Sequence, residues 1–135
     1  MEARVWMDGS SNIANWPAFW ADGTGDWPTT GEIDVMEGLN GRPSWHYHWG
    51  TNSNHQSAGG YPTLSSKVGW HTFGADWQPG YVKFYYDGVY VGQATEGIVS
   101  GPMFLILNYG LSTEISPPVQ VPSYFLVDYV RVWQK

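Results

Sequence analysis

The chain of 135 residues is long enough for one domain with a sizeable core, and it carries a net charge of −6 with only six Lys and Arg. This balance argues against nucleic acid or an anionic membrane as a partner, because phosphate groups are bound by clustered cations. The absence of cysteine excludes disulfides, zinc–thiolate sites and thiol nucleophiles, and no apolar run approaches the roughly 18 residues of a membrane span.

The chain begins with two predicted strands. Residues 1–7 alternate in the manner of a strand that starts with the chain itself. Trp16 to Trp20 form a short aromatic strand with both tryptophans on one face, and Pro17 places it near a sheet edge or at a strand start. Residues 21–30 are rich in Gly, Asp and Pro and predict a loop that leads directly into the next strand.

The next stretch, EIDVME, brings together three of the twelve carboxylates of the chain, at Glu32, Asp34 and Glu37. In a regular strand Glu32 and Asp34 share one face, whereas Glu37 faces the core, where an unpaired charge costs on the order of several kcal/mol. A β-bulge around Val35 or Met36 adds one residue and turns Glu37 toward the other two acids. We therefore predict a bulged strand with three carboxylates on one surface.

Three carboxylates this close together cannot all ionise freely, so at least one pKa is expected to rise. Two carboxyl groups roughly 5–5.5 Å apart suit a retaining glycosidase, in which one is the nucleophile and the other the general acid and base. Metal binding is the competing use, because hard cations also collect oxygen ligands. An exposed acidic strand face without a function is the third interpretation, and the residues alone leave all three open.

The following strand, Trp45 to Trp49, places His46 and His48 on one face beside the acidic strand. A single histidine is more often a hydrogen-bonded structural residue, but two on one face favour a role in binding or at a metal. Residues 51–66 are polar and predict a long surface loop.

A hairpin is predicted in the middle of the chain. Residues 70–77, 81–86 and 89–94 read as strands, and the last two are joined by Asp87-Gly88. Both central residues of a type I′ turn need positive φ, and this dipeptide is a common solution.

Two further strands complete the chain. Residues 103–109 are almost entirely apolar, which places them in the core with Asn108 as the only polar member, and Tyr124 to Trp133 form the last strand. About eight short strands with Gly and Pro turns, without alternating helices, indicate a single all-β domain over residues 1–135. The expected architecture is a sandwich or barrel.

With these elements in place, the sequence resembles glycoside hydrolase family 16 over essentially its whole length. That family carries E-x-D-x-x-E or E-x-D-x-E on a strand lining the cleft, and this chain has the six-residue, bulged form. The other laminarinase-like motifs are W-P-A-F-W at 16–20, W-P-x-x-G-E-I-D at 27–34, H-x-G at 48–50, D-W-x-P to D-G at 76–88, L-I-L-N at 105–108 and D-Y-V-R-V-W at 128–133.

The resemblance implies a concanavalin-like jelly-roll β-sandwich and an extracellular, endo-acting enzyme that cleaves internal β-1,3 or mixed β-1,3/1,4 glucan bonds with retention of configuration. It makes Glu32 the nucleophile, Asp34 the assisting carboxylate and Glu37 the general acid and base. These roles agree with the physical expectation that Asp34, between two glutamates, holds a shared proton.

The resemblance also implies sugar-binding residues, which suits a chain with nine Trp and nine Tyr, because apolar sugar faces stack on aromatic rings. Any one of these tryptophans, Trp16 above all, could instead be a core aromatic that does not contact sugar. For Asn108 the alternative is a hydrogen bond to a backbone group inside the sandwich. The implied residues are Trp16, Trp20, Trp27, His46, His48 and Asn108.

The sequence departs from the family at its start. Members have a substantial stretch before the E-A-R-V strand, which here begins at Glu2, so the chain resembles a truncated or minimal form. That stretch also supplies one side of a structural calcium site whose other ligand matches Asp128, so no cofactor is expected from this chain alone. Missing strands expose sheet edges, which predicts a homo-oligomer that covers them or a marginally stable monomer.

Two other functions stay open at this point. An agarase-type galactan hydrolase shares the bulged motif, whereas the scarcity of Lys and Arg argues against a sulfated substrate. A carbohydrate-binding β-sandwich without turnover follows if the missing strands leave the acids too hydrated for a raised pKa. Three clustered acids favour the enzyme, because a binding module has no use for them.

Overall fold

The computed structural model describes residues 1–111 and 119–134, which form ten strands and one 3-10 turn. The elements are β1 (Glu2–Met7), β2 (Trp16–Gly23), β3 (Glu32–Glu37), the turn Leu39–Gly41, β4 (Ser44–Thr51), β5 (Asn54–Gly60), β6 (Gly69–Gln78), β7 (Tyr81–Tyr86), β8 (Val89–Ala94), β9 (Met103–Gly110) and β10 (Phe125–Arg131).

The strands form two five-stranded antiparallel sheets, which confirms the predicted all-β sandwich. The first sheet has the order β10-β1-β6-β7-β8, and the second has the order β5-β4-β3-β2-β9. Over the residues that the structure describes, no helix has the length and apolar character needed to cross a membrane.

The core lies between the sheets and is built from the inward residues of alternating strands. In β1 every second residue, Ala3, Val5 and Met7, is fully buried. Across the sandwich, the ring of Trp45 in β4 stacks on Phe84 of β7 with 4.5 Å between the ring centroids. Burial of a large apolar side chain stabilises the fold by about 1.5–3 kcal/mol, so these contacts fix the inner face of the second sheet against the first. The outer face of the second sheet is then free to carry polar residues.

The acidic strand β3 lies at the centre of the second sheet and contains the predicted bulge. Three steps along β3, from Asp34 to Glu37, match two steps on each neighbouring strand. The extra length is taken up at Val35 and Met36, which are both buried. Glu37 therefore returns to the face that carries Glu32, and the predicted bulge is confirmed.

The surface loop predicted over residues 51–66 is wrong in part, because Asn54–Gly60 form strand β5. This strand pairs with β4 along its whole length and is an edge of the second sheet. Its side chains are mostly exposed. A sheet edge accommodates a polar strand because one side of its backbone is hydrogen-bonded while the side chains remain in water, so the polar composition was misleading.

The placement of residues 103–109 in the core is also wrong. They belong to β9, at the other edge of the second sheet, and none of their side chains is fully buried. Leu105 and Leu107 pack against the core, whereas Ile106 and Asn108 line the outer face. An edge strand has no neighbour on its far side, so apolar side chains there are only half covered.

The sandwich is open on the side of β9 and β10. A cavity of about 890 Å³ lies there, with Ala21, Leu105 and Trp133 among its lining residues. Leu126 and Val127 of β10 are each 46% exposed although adjacent residues of a strand point to opposite faces. Within the described part of the chain, both faces of this edge strand therefore present apolar surface to solvent.

Candidate active site

Three carboxylates meet on the outer face of the second sheet, where β3 carries Glu32, Asp34 and Glu37 into a cleft of about 400 Å³. A carboxylate oxygen of Asp34 lies within 4.8 Å of an oxygen of Glu32, and the same limit holds between Asp34 and Glu37. The side chains that line the cleft are Trp16, Ala18, Trp20, Glu32, Asp34, Glu37, Ile106 and Asn108.

Burial and mutual repulsion change the acidity of two of these groups. Asp34 is only 5% exposed, and burial, followed by the charge of Glu37, raises the pKa of Asp34 from 3.8 to about 7. Burial, followed by the charge of Asp34, raises the pKa of Glu32 from 4.5 to about 7. Two adjacent carboxyls with pKa values near 7 share a proton at neutral pH. A carboxyl that can both release and accept a proton at this pH is what general acid–base catalysis requires.

Glu37 is held by two donors from the neighbouring strands. The indole Nε1 of Trp16 donates to Oε1 of Glu37 at 3.0 Å, and Nδ1 of His46 lies 3.3 Å from Oε2. The hydrogen bond to Glu37 raises the pKa of the His46 imidazole, against the opposing effect of burial. Each oxygen of Glu37 therefore has its own fixed partner.

His48 faces the other end of the acidic row. Its Nε2 lies 3.3 Å from Oδ2 of Asp34 and 3.9 Å from Oε1 of Glu32. Burial lowers the pKa of His48, so the neutral imidazole predominates at neutral pH. Trp27, which is 43% exposed, lies beside His48, and a hydrogen bond from the Trp27 side chain lowers the pKa of Glu32 against the effect of burial.

Trp20 and Asn108 form a pair on the β9 side of the cleft. The Nε1 of Trp20 donates to Oδ1 of Asn108 at 2.7 Å. The alternative considered for Asn108, a backbone hydrogen bond inside the sandwich, does not describe this arrangement, because Asn108 is exposed on the outer face. The structure thus places all six predicted sugar-binding residues on or beside the acidic face.

Two residues at the β5 side of the cleft were not predicted from the sequence. His55 approaches His48 with 2.9 Å between its Nε2 and the Nδ1 of His48. Tyr61, 46% exposed, meets the ring of His46 edge-on, with 6.0 Å between centroids. Both lie in the segment predicted as a loop. Only the pairing of residues 54–60 with β4 as a strand would have placed these two side chains beside the cleft.

Two groups of side chains in the cleft have donor atoms close enough to hold a metal ion. They are Glu32 with Asp34 and His48, and Asp34 with Glu37 and His46. Both groups contain Asp34, whose raised pKa means that a proton competes with any cation for this carboxylate.

The calcium ligand implied at Asp128 has a different environment. Its Oδ2 accepts a hydrogen bond of 2.7 Å from Nη1 of Arg4, so the carboxylate is already neutralised by a cation. Asp128 belongs to neither group of candidate metal ligands found among the described residues. Calcium needs six to eight oxygen ligands, so the residues described here do not fit a calcium site by themselves.

Comparison with known proteins places the chain in a family. Residues 7–72 match the family described as "XgeA-like, catalytic GH16 domain". The keratan-sulfate endo-1,4-beta-galactosidase of Sphingobacterium multivorum is 32% identical over 143 aligned residues, covering 89% of this chain and 33% of the relative. The glucan endo-1,3-beta-glucosidase A1 of Niallia circulans is 28% identical, covering 89% and 22%.

Solved structures agree with the fold. The endo-beta-1,3-glucanase of Pyrococcus furiosus superimposes with a TM-score of 0.70 at 26% identity, over 94% of this chain and 57% of that one. The chain thus spans about a third of the first curated relative and little more than half of the solved one. With its bulged acidic strand and its jelly-roll sheets, it belongs to glycoside hydrolase family 16, and it covers part of the catalytic domain.

Proposed function

We propose that the protein is an endo-acting glycosidase that hydrolyses internal β-1,3 or mixed β-1,3/1,4 bonds of a glucan with retention of configuration. The observation that carries the proposal is the bulge in β3, which puts Glu32, Asp34 and Glu37 in one row in an open cleft. Such a row serves as a pair of catalytic carboxyls with a third between them.

In the proposed reaction Glu32 attacks the anomeric carbon while Glu37 protonates the leaving glycosidic oxygen. The covalent glycosyl-enzyme then reacts with water, from which Glu37 removes a proton. The hydrogen-bond donors around Glu32 stabilise its ionised form, and Trp16 and His46 hold Glu37 at the opposite end. Asp34 exchanges a proton with its neighbours as the charge moves along the row.

A neutral β-glucan fits the walls of the proposed site. Trp16, Trp20 and Trp27 offer aromatic surface for sugar rings, while Asn108 and the two histidines offer hydrogen bonds. The name of the 32% identical relative, a keratan-sulfate endo-1,4-beta-galactosidase, supports a galactan hydrolase as a second candidate, and the scarcity of Lys and Arg favours an unsulfated, agarase-type galactan over a sulfated one.

Location and assembly are part of the proposal. The protein acts outside the cell, as the family resemblance implies. A second copy of the chain covers the apolar side formed by β9 and β10, because exposed apolar edges favour association. The competing proposal is a carbohydrate-binding sandwich without turnover, but its premise of hydrated acids does not describe Glu32 and Asp34, whose pKa values burial raises to about 7.

Reducing-sugar release from laminarin, lichenan and agarose tests the proposal with the 135-residue chain and its Glu32→Gln variant. We expect release from laminarin or lichenan by the parent, loss of at least about a thousandfold in the variant, and retained oligosaccharide binding. Release from agarose alone indicates the galactan hydrolase. Binding without release from any of the three indicates the non-catalytic module, and near-parental hydrolysis by the variant rejects the assignment of Glu32.

NMR analysis of the first-formed reducing end tests the stereochemistry separately. Retention is expected because the family resemblance makes Glu32 the nucleophile that forms a covalent intermediate. An initial product of inverted configuration would require water, instead of Glu32, as the attacking group.

A further inference from the structure

His48 is placed between carboxylates on one side and a second histidine on the other. Its Nε2 faces Asp34 at 3.3 Å, while its Nδ1 lies 2.9 Å from Nε2 of His55 on the edge strand β5. Each ring nitrogen of His48 thus has one fixed partner, Asp34 at Nε2 and His55 at Nδ1. Only a few placements of the protons between these atoms are possible.

Neutral His48 carries one N–H, and its position is decided by the partners. A proton on Nε2 lets His48 donate toward Asp34 and Glu32, with Nδ1 left as an acceptor. The opposite tautomer directs the Nε2 lone pair at two carboxylates, which is repulsive whenever either is ionised. The acceptor at Nδ1 then requires a donor, and the neighbouring atom is Nε2 of His55.

We propose that His55 is a positioning residue: by donating its Nε2–H to Nδ1 of His48, it holds His48 in the tautomer that donates from Nε2 to Asp34. The proposal rests on the proposed function for its catalytic meaning, whereas the tautomer itself is a property of the folded chain.

A second set of contacts supports this role. The His55 ring lies nearly parallel to His48, with 5.0 Å between centroids and 23° between planes, and 4.8 Å from the ring of Trp27. The Trp27 side chain in turn hydrogen-bonds Glu32. His55 therefore contacts the supports of two carboxyls, one through His48 and one through Trp27.

In this tautomer His48 always presents an N–H donor to Asp34. Without His55, His48 is free to exchange tautomers, and the carboxyl row loses a hydrogen bond that favours its ionised form. The groups that face His48 are Glu32 and Asp34 from β3, His46 from its own strand and His55 from β5, with Glu37 acting at longer range. Losing the donor at His55 is therefore expected to move the ionisation of Asp34, the carboxyl that accepts from His48, toward higher pH.

Three substitutions separate the donor from the rest of the side chain. In His55→Gln the amide nitrogen occupies the place of Nε2, so the donor is retained. His55→Asn keeps a polar amide that is too short to reach His48, and His55→Leu removes the donor entirely. Gln56→Leu is the matched control on the same exposed strand, because its side-chain amide bonds Asn54 and only the backbone oxygen of His55, not the imidazole.

The first measurement is the tautomer of His48, read from the ring ¹⁵N chemical shifts of the folded chain. We expect the Nε2–H form in the parent, in His55→Gln and in Gln56→Leu, and a mixture or the Nδ1–H form in His55→Leu and His55→Asn. A parent in the Nδ1–H form, or a His48 tautomer that is unchanged in His55→Leu, overturns the proposal. This readout does not require any hydrolytic activity.

The second measurement is the pH profile of kcat/KM. For His55→Leu we expect about a tenfold loss, the scale of one charge-assisted hydrogen bond, with the acid limb moved upward by about one pH unit. His55→Gln is expected to restore both, and equal profiles in all variants reject the catalytic role. A parent that hydrolyses none of the glucans refutes the proposed function and leaves the tautomer result to decide the role of His55.

Discussion

The indole of Trp16 donates a hydrogen bond of 3.0 Å to Oε1 of Glu37 and so ties the start of β2 to the end of β3. Trp16 also lines the cleft. Its alternative interpretation as a purely core aromatic does not describe these contacts. The same ring can therefore meet a sugar and fix the direction of the carboxyl assigned as acid and base.

Replacing Trp16 with Phe should separate these two roles. The ring remains available for stacking, but the donor to Glu37 is lost, so we expect kcat to fall by about tenfold with a smaller change in KM. Steady-state kinetics on laminarin measures both constants. Trp6→Phe, which removes an indole donor to Asp8 far from the cleft, is the control and should keep the parental kcat. Parental kcat in Trp16→Phe would contradict the orienting role.

The raised pKa values of Glu32 and Asp34 predict a stability that depends on pH. Both pKa values are about 7 in the folded chain, above the ordinary values of 4.5 and 3.8, so folding opposes ionisation. The contribution of these two groups to the free energy of unfolding is fully present below about pH 4, where both are protonated in either state. It is lost as the pH rises through 7. Glu32→Gln and Asp34→Asn should therefore stabilise the protein by about 1–3 kcal/mol at pH 8 and have little effect at pH 4.

Urea unfolding at pH 4 and pH 8 measures this difference. Glu96→Gln, which changes an exposed carboxyl outside the cleft, is the matched control. If Asp34→Asn were equally destabilising at both pH values, packing would dominate the effect, and the inferred burial of charge would be wrong.

Gly59 is predicted to be required for the position of His46. The two residues pair directly across β4 and β5, and a Cβ on Gly59 would lie 2.2 Å from Cδ2 of His46. In Gly59→Ala the imidazole has to leave this position, which disturbs its 3.3 Å contact with Glu37, so we expect about a tenfold loss of kcat/KM with a fold that remains intact. Gly110→Ala, whose Cβ meets nothing within 4 Å, is the control. Unchanged activity in Gly59→Ala would show that the present position of His46 is not needed for the reaction.

The apolar side formed by β9 and β10 predicts self-association. Light scattering should find dimers or larger assemblies at micromolar concentration, and a dye for exposed apolar surface should bind to any monomer that remains. Leu126→Lys together with Val127→Thr should weaken the assembly, since both side chains are 46% exposed. A stable monomer that binds no dye would contradict the prediction.

The sequence by itself determined those features that depend on neighbours along the chain. The Asp87-Gly88 turn followed from turn chemistry, and its two φ angles, 50° and 77°, confirm it. The bulge in β3 followed from the charge that would otherwise be buried at Glu37, and the register of β3 with both neighbouring strands confirms it. Alternation and turn signals were enough for the all-β class, because both are local consequences of backbone geometry.

Tertiary structure alone decided which strands lie at the edges and which side chains meet across them. Strand Asn54–Gly60 reads as a loop because its residues are polar, and Met103–Gly110 reads as core because its residues are apolar. Both are edge strands, where burial depends on the order of strands in the sheet. The contact of His55 with His48 likewise exists only once β5 pairs with β4, because register between strands is fixed by packing over the whole sandwich and not by the sequence of either strand.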